Sequence, residues 1–170
     1  MIRRRAIVVG ALCVAGAAGQ SLAFVPPRVK GGVTEDPMIT VAPLSGKIPA
    51  PSTVAAAPYD AEVSASGLRS KVLRAGTGDR PTDKDAVVVH YSGWTPDGKM
   101  FDSSILRKAT TTFGLNAVIK GFAEGLSLMR IGEQRRLWIP GALAYGDAPK
   151  AGVPTGLLVF DVELVAIKKP

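Results

Sequence analysis

The sequence predicts an α+β fold in which a single helix covers one face of a small antiparallel β-sheet. From about residue 66, short apolar runs of strand character alternate with turns. Only one segment, residues 120–130, has the apolar period of an amphipathic helix. The 170 residues include 19 glycines and 13 prolines, which is typical of a loop-rich or β-rich chain with one tail.

The first strands are predicted from runs that end at turns. Residues 67–75 form a strand that stops at a Gly-Thr-Gly-Asp turn. Alternation in residues 86–93 places three side chains on one face of the next strand: Val87, Val89 and Tyr91. The Thr-Pro-Asp-Gly sequence at residues 95–98 is a turn, and it returns the chain as a partner strand over residues 99–103.

The helix and the last two strands follow. Three apolar side chains of residues 120–130 recur at i, i+4 and i+7, and they are Phe122, Leu126 and Met129. Gly132 can end this helix. Residues 133–140 and 156–167 are predicted strands, and one face of the last strand carries Leu158, Phe160, Val162 and Leu164.

The N-terminus has the pattern of a secretory signal peptide. Three arginines at residues 3–5 precede a 14-residue apolar run over residues 6–19, and small residues precede a cleavage site after Ala23. The run is short and rich in Gly and Ala for a membrane span, so stable membrane insertion is not predicted, although a retained signal anchor stays open. We therefore assign residues 1–23 to a signal peptide.

Residues 24–65 are predicted to be a Pro/Ala-rich transit peptide or a flexible linker. They contain seven prolines, and neither a helical nor a strand period persists among them. Phe24 directly follows the predicted cleavage site, which resembles the targeting motif of algal plastids bounded by more than two membranes. The destinations left open are such a plastid, secretion and an endomembrane lumen.

Composition excludes several kinds of chemistry. The only cysteine is Cys13, inside the leader, and the only histidine is His90, so disulfides, thiol nucleophiles and His- or Cys-based metal sites are not predicted in the mature chain. The net charge is +7, but Lys and Arg do not alternate with aromatic residues, so nucleic-acid binding is not predicted. No cofactor is expected, and a monomer is expected because no heptad seam is present.

Five sequence blocks carry a family resemblance. They occur in this order: residues 89–93 (VHYSG), 97–104 (DGKMFDSS), 118–126 (VIKGFAEGL), 143–146 (LAYG) and 157–164 (LLVFDVEL). Together they resemble the FKBP-type peptidyl-prolyl cis–trans isomerases, over about residues 67–167. We accordingly predict an isomerase domain at residues 66–170.

The resemblance implies a fold, an activity and a site. The fold is a twisted antiparallel sheet wrapped around one short α-helix, and the activity is rotation of X-Pro bonds in an apolar aromatic pocket, which assists protein folding. The implied catalytic residues are Tyr91, Phe101, Asp102 and Tyr145. The implied substrate-binding residues are Arg107, Phe113, Val118, Ile119, Phe122 and Phe160. The family's ligands are proline-containing polypeptides and macrolides, and its hydrogen-bond donors correspond to the Ile119 N–H and the Tyr145 hydroxyl.

Three features depart from the family pattern. Phe122 stands where many members have Trp, Thr111 replaces an aromatic residue two positions before Phe113, and the loop over residues 147–156 is short. These departures keep a second hypothesis open, a non-enzymatic FKBP-like module that binds peptides or acts as a chaperone. Two other residues are interpreted as structural, Trp138 as a packing residue and His90 as a hydrogen-bonded histidine.

Overall fold

The computed structural model describes residues 47–149 and 151–170. Its strands are β1 (Glu62–Val63), β2 (Arg69–Arg74), β3 (Ala86–Trp94), β4 (Met100–Ser103), β5 (Thr111–Gly114), β6 (Gln134–Ile139) and β7 (Leu158–Lys168). The helix α1 spans Lys120–Leu128, and two 3₁₀ turns span Leu115–Ala117 and Gly141–Leu143. In this part of the chain no helix is both long enough and apolar enough to cross a membrane.

The strands form one antiparallel sheet. Six of them lie side by side in the order β1-β2-β6-β7-β3-β4. One edge of β3 pairs with β7 along its whole length, so that Tyr91 lies opposite Val162 and Gly93 opposite Phe160. The other edge of β3 pairs first with β5, over residues 86–89, and then with β4, over residues 92–94. This change of partner falls at Tyr91.

Helix α1 packs on one face of the sheet, which confirms the predicted fold class. The apolar stripe predicted for the helix is buried: Phe122, Leu126 and Met129 are each no more than 4% exposed. Two glycines bring the helix close to β6. A Cβ at Gly121 would lie 2.4 Å from Ile139 Cγ2, and a Cβ at Gly125 would lie 2.5 Å from Leu137 Cδ1. Larger residues at these positions would push the helix off the strand.

Each of the five predicted strands agrees with the structure to within two residues at both ends. Two further strands, β1 and β5, were not predicted. The short strand β5 is absent from the sequence prediction, because Thr-Thr-Phe-Gly is too brief to show an alternation. The predicted helix extends to residue 130, whereas α1 ends at Leu128, and the chain turns at Gly132 with a φ of 85°.

The second unpredicted strand, β1, lies within the segment assigned to a transit peptide or linker. It pairs with β2, and residues 48–53 also contact the sheet through hydrogen bonds from Trp94 and Trp138. The predicted boundary at residue 66 remains a prediction, but these contacts attach residues 48–63 to the sheet. The signal peptide over residues 1–23 and the motif at Phe24 lie outside the described residues.

Candidate active site

Five aromatic rings gather between α1 and the sheet. Tyr91 comes from β3, Phe101 from β4, Phe113 from β5, Phe122 from α1 and Phe160 from β7. Six pairs of these rings have centroids 5.0–6.4 Å apart, and their planes are tilted or perpendicular. This is the geometry that aromatic pairs prefer. Five side chains that the resemblance assigned to the site are therefore neighbours, and we call them the aromatic cluster.

The aromatic cluster is buried at its centre and more open at its rim. Tyr91, Phe122 and Phe160 are 4–7% exposed, whereas Phe101 and Phe113 are partly buried. Phe122 and Phe160 have the closest centroids of any pair, at 5.0 Å. The predicted substrate-binding residues Val118 and Ile119 are also partly buried and pack against the same core.

Gly93 permits the close approach of two of these rings. A Cβ built on Gly93 would lie 2.7 Å from Phe101 Cζ and 2.8 Å from Phe160 Cε1. Phe101 and Phe160 meet edge to face at 5.4 Å and 87°, directly over the glycine. No side chain larger than hydrogen fits there unless the rings move. Sequence reasoning included Gly93 in a family block but gave it no role.

A polar group of three residues lies at the edge of the cluster. The Tyr91 hydroxyl donates a short hydrogen bond to Asp102 Oδ2, and Arg107 Nη1 forms an ion pair with Asp102 Oδ1. Arg107 Nη2 donates to the Tyr91 oxygen at 2.9 Å, and the guanidinium carbon lies 5.6 Å from the centre of the Tyr91 ring. These contacts link three residues assigned to the site, and Arg107 binds both Asp102 and Tyr91.

The charges of this group follow from its contacts. Burial tends to raise the pKa of Asp102, but the hydrogen bonds from Tyr91 and Arg107 outweigh that effect and hold the pKa below its ordinary value of 3.8. Burial, followed by the hydrogen bond to Asp102, raises the pKa of Tyr91 above its ordinary value of 10.0. At neutral pH the tyrosine is therefore protonated, while Asp102 and Arg107 are oppositely charged.

Ser104 holds the backbone of Tyr91 at the point where β3 changes partner. Its hydroxyl oxygen accepts a hydrogen bond from Tyr91 N at 2.8 Å, and its own N–H donates to Tyr91 O at 2.9 Å. The Ser104 hydroxyl also lies 3.3 Å from His90 Nδ1, which agrees with the structural role expected for His90. Ser104 is fully buried. It is a positioning residue, and its only sequence signal was its place in the Asp-Ser-Ser block.

Ile119 immediately precedes helix α1 and is its N-cap residue. Its carbonyl accepts hydrogen bonds from the N–H groups of Phe122 and Ala123, at 3.0 and 3.1 Å. Its own N–H donates to no backbone carbonyl among the described residues. A free donor at a helix start is suited to a ligand carbonyl.

Tyr145 lies apart from the aromatic cluster in this structure. Its side chain is 38% exposed, and within residues 47–149 and 151–170 it makes neither a ring contact with the cluster nor a side-chain hydrogen bond. The flanking Gly146 is held by a backbone hydrogen bond to Gly141 O at 2.8 Å. The assignment of Tyr145 to the site stays a prediction.

Thr111 occupies the position of the missing aromatic residue. Its hydroxyl lies 3.4 Å from Arg107 Nη2, beside the bond from Arg107 to Tyr91. The substitution therefore places a polar contact where the family pattern has a ring. In the described part of the chain, no group of three or more His, Cys, Asp or Glu side chains is placed to hold a metal ion.

An antiparallel sheet packed on one helix, with an aromatic cluster between them, defines the FKBP-like class of protein. The model of the family "FKBP-type peptidyl-prolyl cis-trans isomerase" matches residues 78–165. The chain belongs to this family.

Named relatives show the same resemblance. FkpA of Aeromonas hydrophila, an FKBP-type peptidyl-prolyl cis-trans isomerase, is 47% identical over 106 residues, which cover 62% of this chain and 40% of FkpA. The crystal structure of FkpA from Escherichia coli superposes with a TM-score of 0.62 at 43% identity, covering 66% of this chain and 53% of that one. The crystal structure of a peptidyl-prolyl cis-trans isomerase from Pseudomonas syringae pv. tomato superposes with a TM-score of 0.60 at 36% identity. The superposition covers 66% of this chain and 84% of that one. The match thus spans less than half of the A. hydrophila protein.

Proposed function

We propose that this protein is a peptidyl-prolyl cis–trans isomerase that accelerates rotation of X-Pro bonds in proline-containing polypeptides and so assists their folding. The observation that carries the proposal is the aromatic cluster, with Tyr91, Asp102 and Arg107 joined at its edge. The relatives named above are isomerases of the same family, and the family model matches residues 78–165, the segment that builds the cluster.

Apolar surroundings suit this reaction. Rotation about an amide has a barrier of about 18–20 kcal/mol because resonance gives the C–N bond partial double-bond character. For X-Pro bonds, spontaneous exchange takes about tens to hundreds of seconds. At the twisted midpoint the resonance is broken and the charge separation across the amide falls. A dry aromatic site therefore favours the twisted state over the planar one, and no nucleophile is needed.

The rate enhancement required is modest. Lowering the barrier by about 5 kcal/mol accelerates rotation by about 10³- to 10⁴-fold. In the proposed complex, Phe101, Phe122 and Phe160 contact the proline ring. The Ile119 N–H and the Tyr145 hydroxyl donate hydrogen bonds to the peptide. Tyr91, kept protonated and held by Asp102 and Arg107, forms the polar edge of the site.

Two further assignments belong to this proposal. Macrolides are proposed as a second class of ligand for the same cluster, and the working unit is proposed to be a monomer. The leader over residues 1–23 is proposed to direct the chain into the secretory pathway, and only Phe24 favours a complex plastid. A fluorescent protein fused behind residues 1–46, compared with the same fusion carrying Phe24→Ala, tests the destination. Delivery of both fusions to the same compartment outside the plastid would remove the plastid hypothesis.

A non-enzymatic binding module is the second candidate function. It is favoured by Phe122, in the cluster, and Thr111, beside Arg107, two positions that depart from the family pattern. The experiment is a protease-coupled isomerisation assay on residues 47–170 with a panel of X-Pro peptides. Loss of acceleration in Phe101→Ala, but not in Tyr59→Ala, would support isomerase activity, since Tyr59 is a fully exposed aromatic residue outside the cluster. A folded protein that binds the peptides without accelerating exchange would support the binding module.

A further inference from the structure

The face of the sheet opposite α1 is covered by residues 48–57, which we call the strap. Trp94 Nε1 donates a hydrogen bond to Ile48 O at 3.1 Å, and Trp138 Nε1 donates to Thr53 O at 2.8 Å. These two are the only tryptophans of the chain, and each is 1% exposed. A buried indole usually needs a partner for its N–H, and here the strap supplies both partners.

The strap also contacts a buried ion pair. Arg136 and Asp161 lie on neighbouring strands and form two hydrogen bonds, of 2.6 and 2.9 Å. Both side chains are no more than 5% exposed. The Thr53 hydroxyl accepts a further hydrogen bond from Arg136 Nη1 at 2.8 Å. One strap residue therefore accepts hydrogen bonds from two buried donors, through its carbonyl and its hydroxyl.

The tryptophans and the ion pair form adjacent rows across the sheet. Trp138 and Trp94 lie on either side of Val159, and Arg136 is the second residue before Trp138 on β6. The strap ends against the same face, where Ala55, Ala56 and Ala57 line a cleft of about 350 Å³ with Trp138. The strap thus spans three strands, although its composition of Pro, Ala, Ser and Thr is that of a linker.

We propose that the strap is part of the folded domain, and that any proteolytic processing of the N-terminal region cuts before Ile48. A cut beyond Thr53 would expose both indoles and remove the acceptors of three buried donors, and a cut between Ile48 and Thr53 would already remove the acceptor of the Trp94 N–H. A transit peptide that is removed after import can therefore occupy only residues 24–47, not the whole Pro/Ala-rich segment up to residue 65.

The test compares the full chain with chains that begin at residue 47 and at residue 58. The two tryptophans report on the strap directly, so fluorescence emission and the thermal midpoint are both measured. The chain from residue 47 should match the full chain in both. The chain from residue 58 should emit at longer wavelength and should unfold at least about 10 °C lower, or fail to fold, since it loses three hydrogen bonds and each shifts the midpoint of a domain of this size by about 3–6 °C.

A point variant tests the same contacts in the full chain. Thr53→Val removes the hydroxyl that accepts from Arg136 and should lower the midpoint by about 3–6 °C. Thr77→Val, at an exposed threonine outside the helices and strands, is the matched control and should leave the midpoint unchanged. The proposal is overturned if the chain from residue 58 keeps the midpoint and emission of the full chain, or if protein isolated from cells begins beyond Ile48. Neither readout depends on isomerase activity.

Discussion

Gly93→Ala is the perturbation that tests the aromatic cluster most sharply. The added methyl carbon would lie 2.7 Å from Phe101 Cζ and 2.8 Å from Phe160 Cε1, about 1 Å inside normal contact. Phe160 cannot simply retreat, because the Phe122 ring lies 5.0 Å away on another side. Overpacking of this kind costs about 1–3 kcal/mol, and each kcal/mol lowers the thermal midpoint of a domain of this size by about 3–6 °C.

The same displacement should reduce peptide turnover. If the moved rings forfeit about 1.4 kcal/mol of transition-state stabilisation, kcat/KM falls about tenfold. The assay is protease-coupled isomerisation, run beside thermal unfolding. Gly76→Ala is the control, because its Cβ would meet backbone atoms of Arg130–Glu133 rather than the cluster. It should lower the midpoint and leave kcat/KM unchanged. A Gly93→Ala protein with wild-type midpoint and wild-type turnover would refute the ring packing described here.

Two further predictions concern the residues around Tyr91. Ser104→Ala removes the acceptor of the Tyr91 N–H and should lower kcat by about 3- to 10-fold, with a smaller rise in KM and with recovery in Ser104→Thr. Ser92→Ala, on the opposite face, is the control and should lower the thermal midpoint alone. The same result for Ser104→Ala would show that Ser104 is merely structural. Asp102 has a lowered pKa, so its stabilising contribution is complete above its ordinary value of 3.8 and is lost as the pH falls through its lower folded-state value. Thermal midpoints between pH 2 and 7 should show a weaker acid-side decline in Asp102→Asn than in the wild type, and identical declines would contradict the contacts of Asp102.

Much of the fold follows from local pattern. Strand β3 was predictable because Val87, Val89 and Tyr91 alternate with less buried residues, and α1 because Phe122, Leu126 and Met129 keep a helical period. These signals depend only on spacing along one element. The pairing of β3 with two successive partners depends on contacts remote in sequence, so neither β5 nor the role of Ser104 was evident.

The aromatic cluster was predicted only through the family resemblance. Spacing alone cannot distinguish a core phenylalanine from one that lines a site, because both are apolar and buried. The strap could not be predicted at all. Two of its contacts use the carbonyls of Ile48 and Thr53, and every residue has a carbonyl. The third uses the Thr53 hydroxyl, which nothing in the sequence distinguishes from the other hydroxyls of this segment.

The most direct test of isomerase activity is the acceleration of X-Pro exchange by residues 47–170, a fragment that retains the strap. Wild-type protein should accelerate exchange of at least some peptides in an X-Pro panel by about 10³-fold or more at saturation. Phe101→Ala should abolish most of that acceleration, whereas Tyr59→Ala should not. A folded wild-type fragment with no acceleration on any peptide of the panel would contradict the proposed activity.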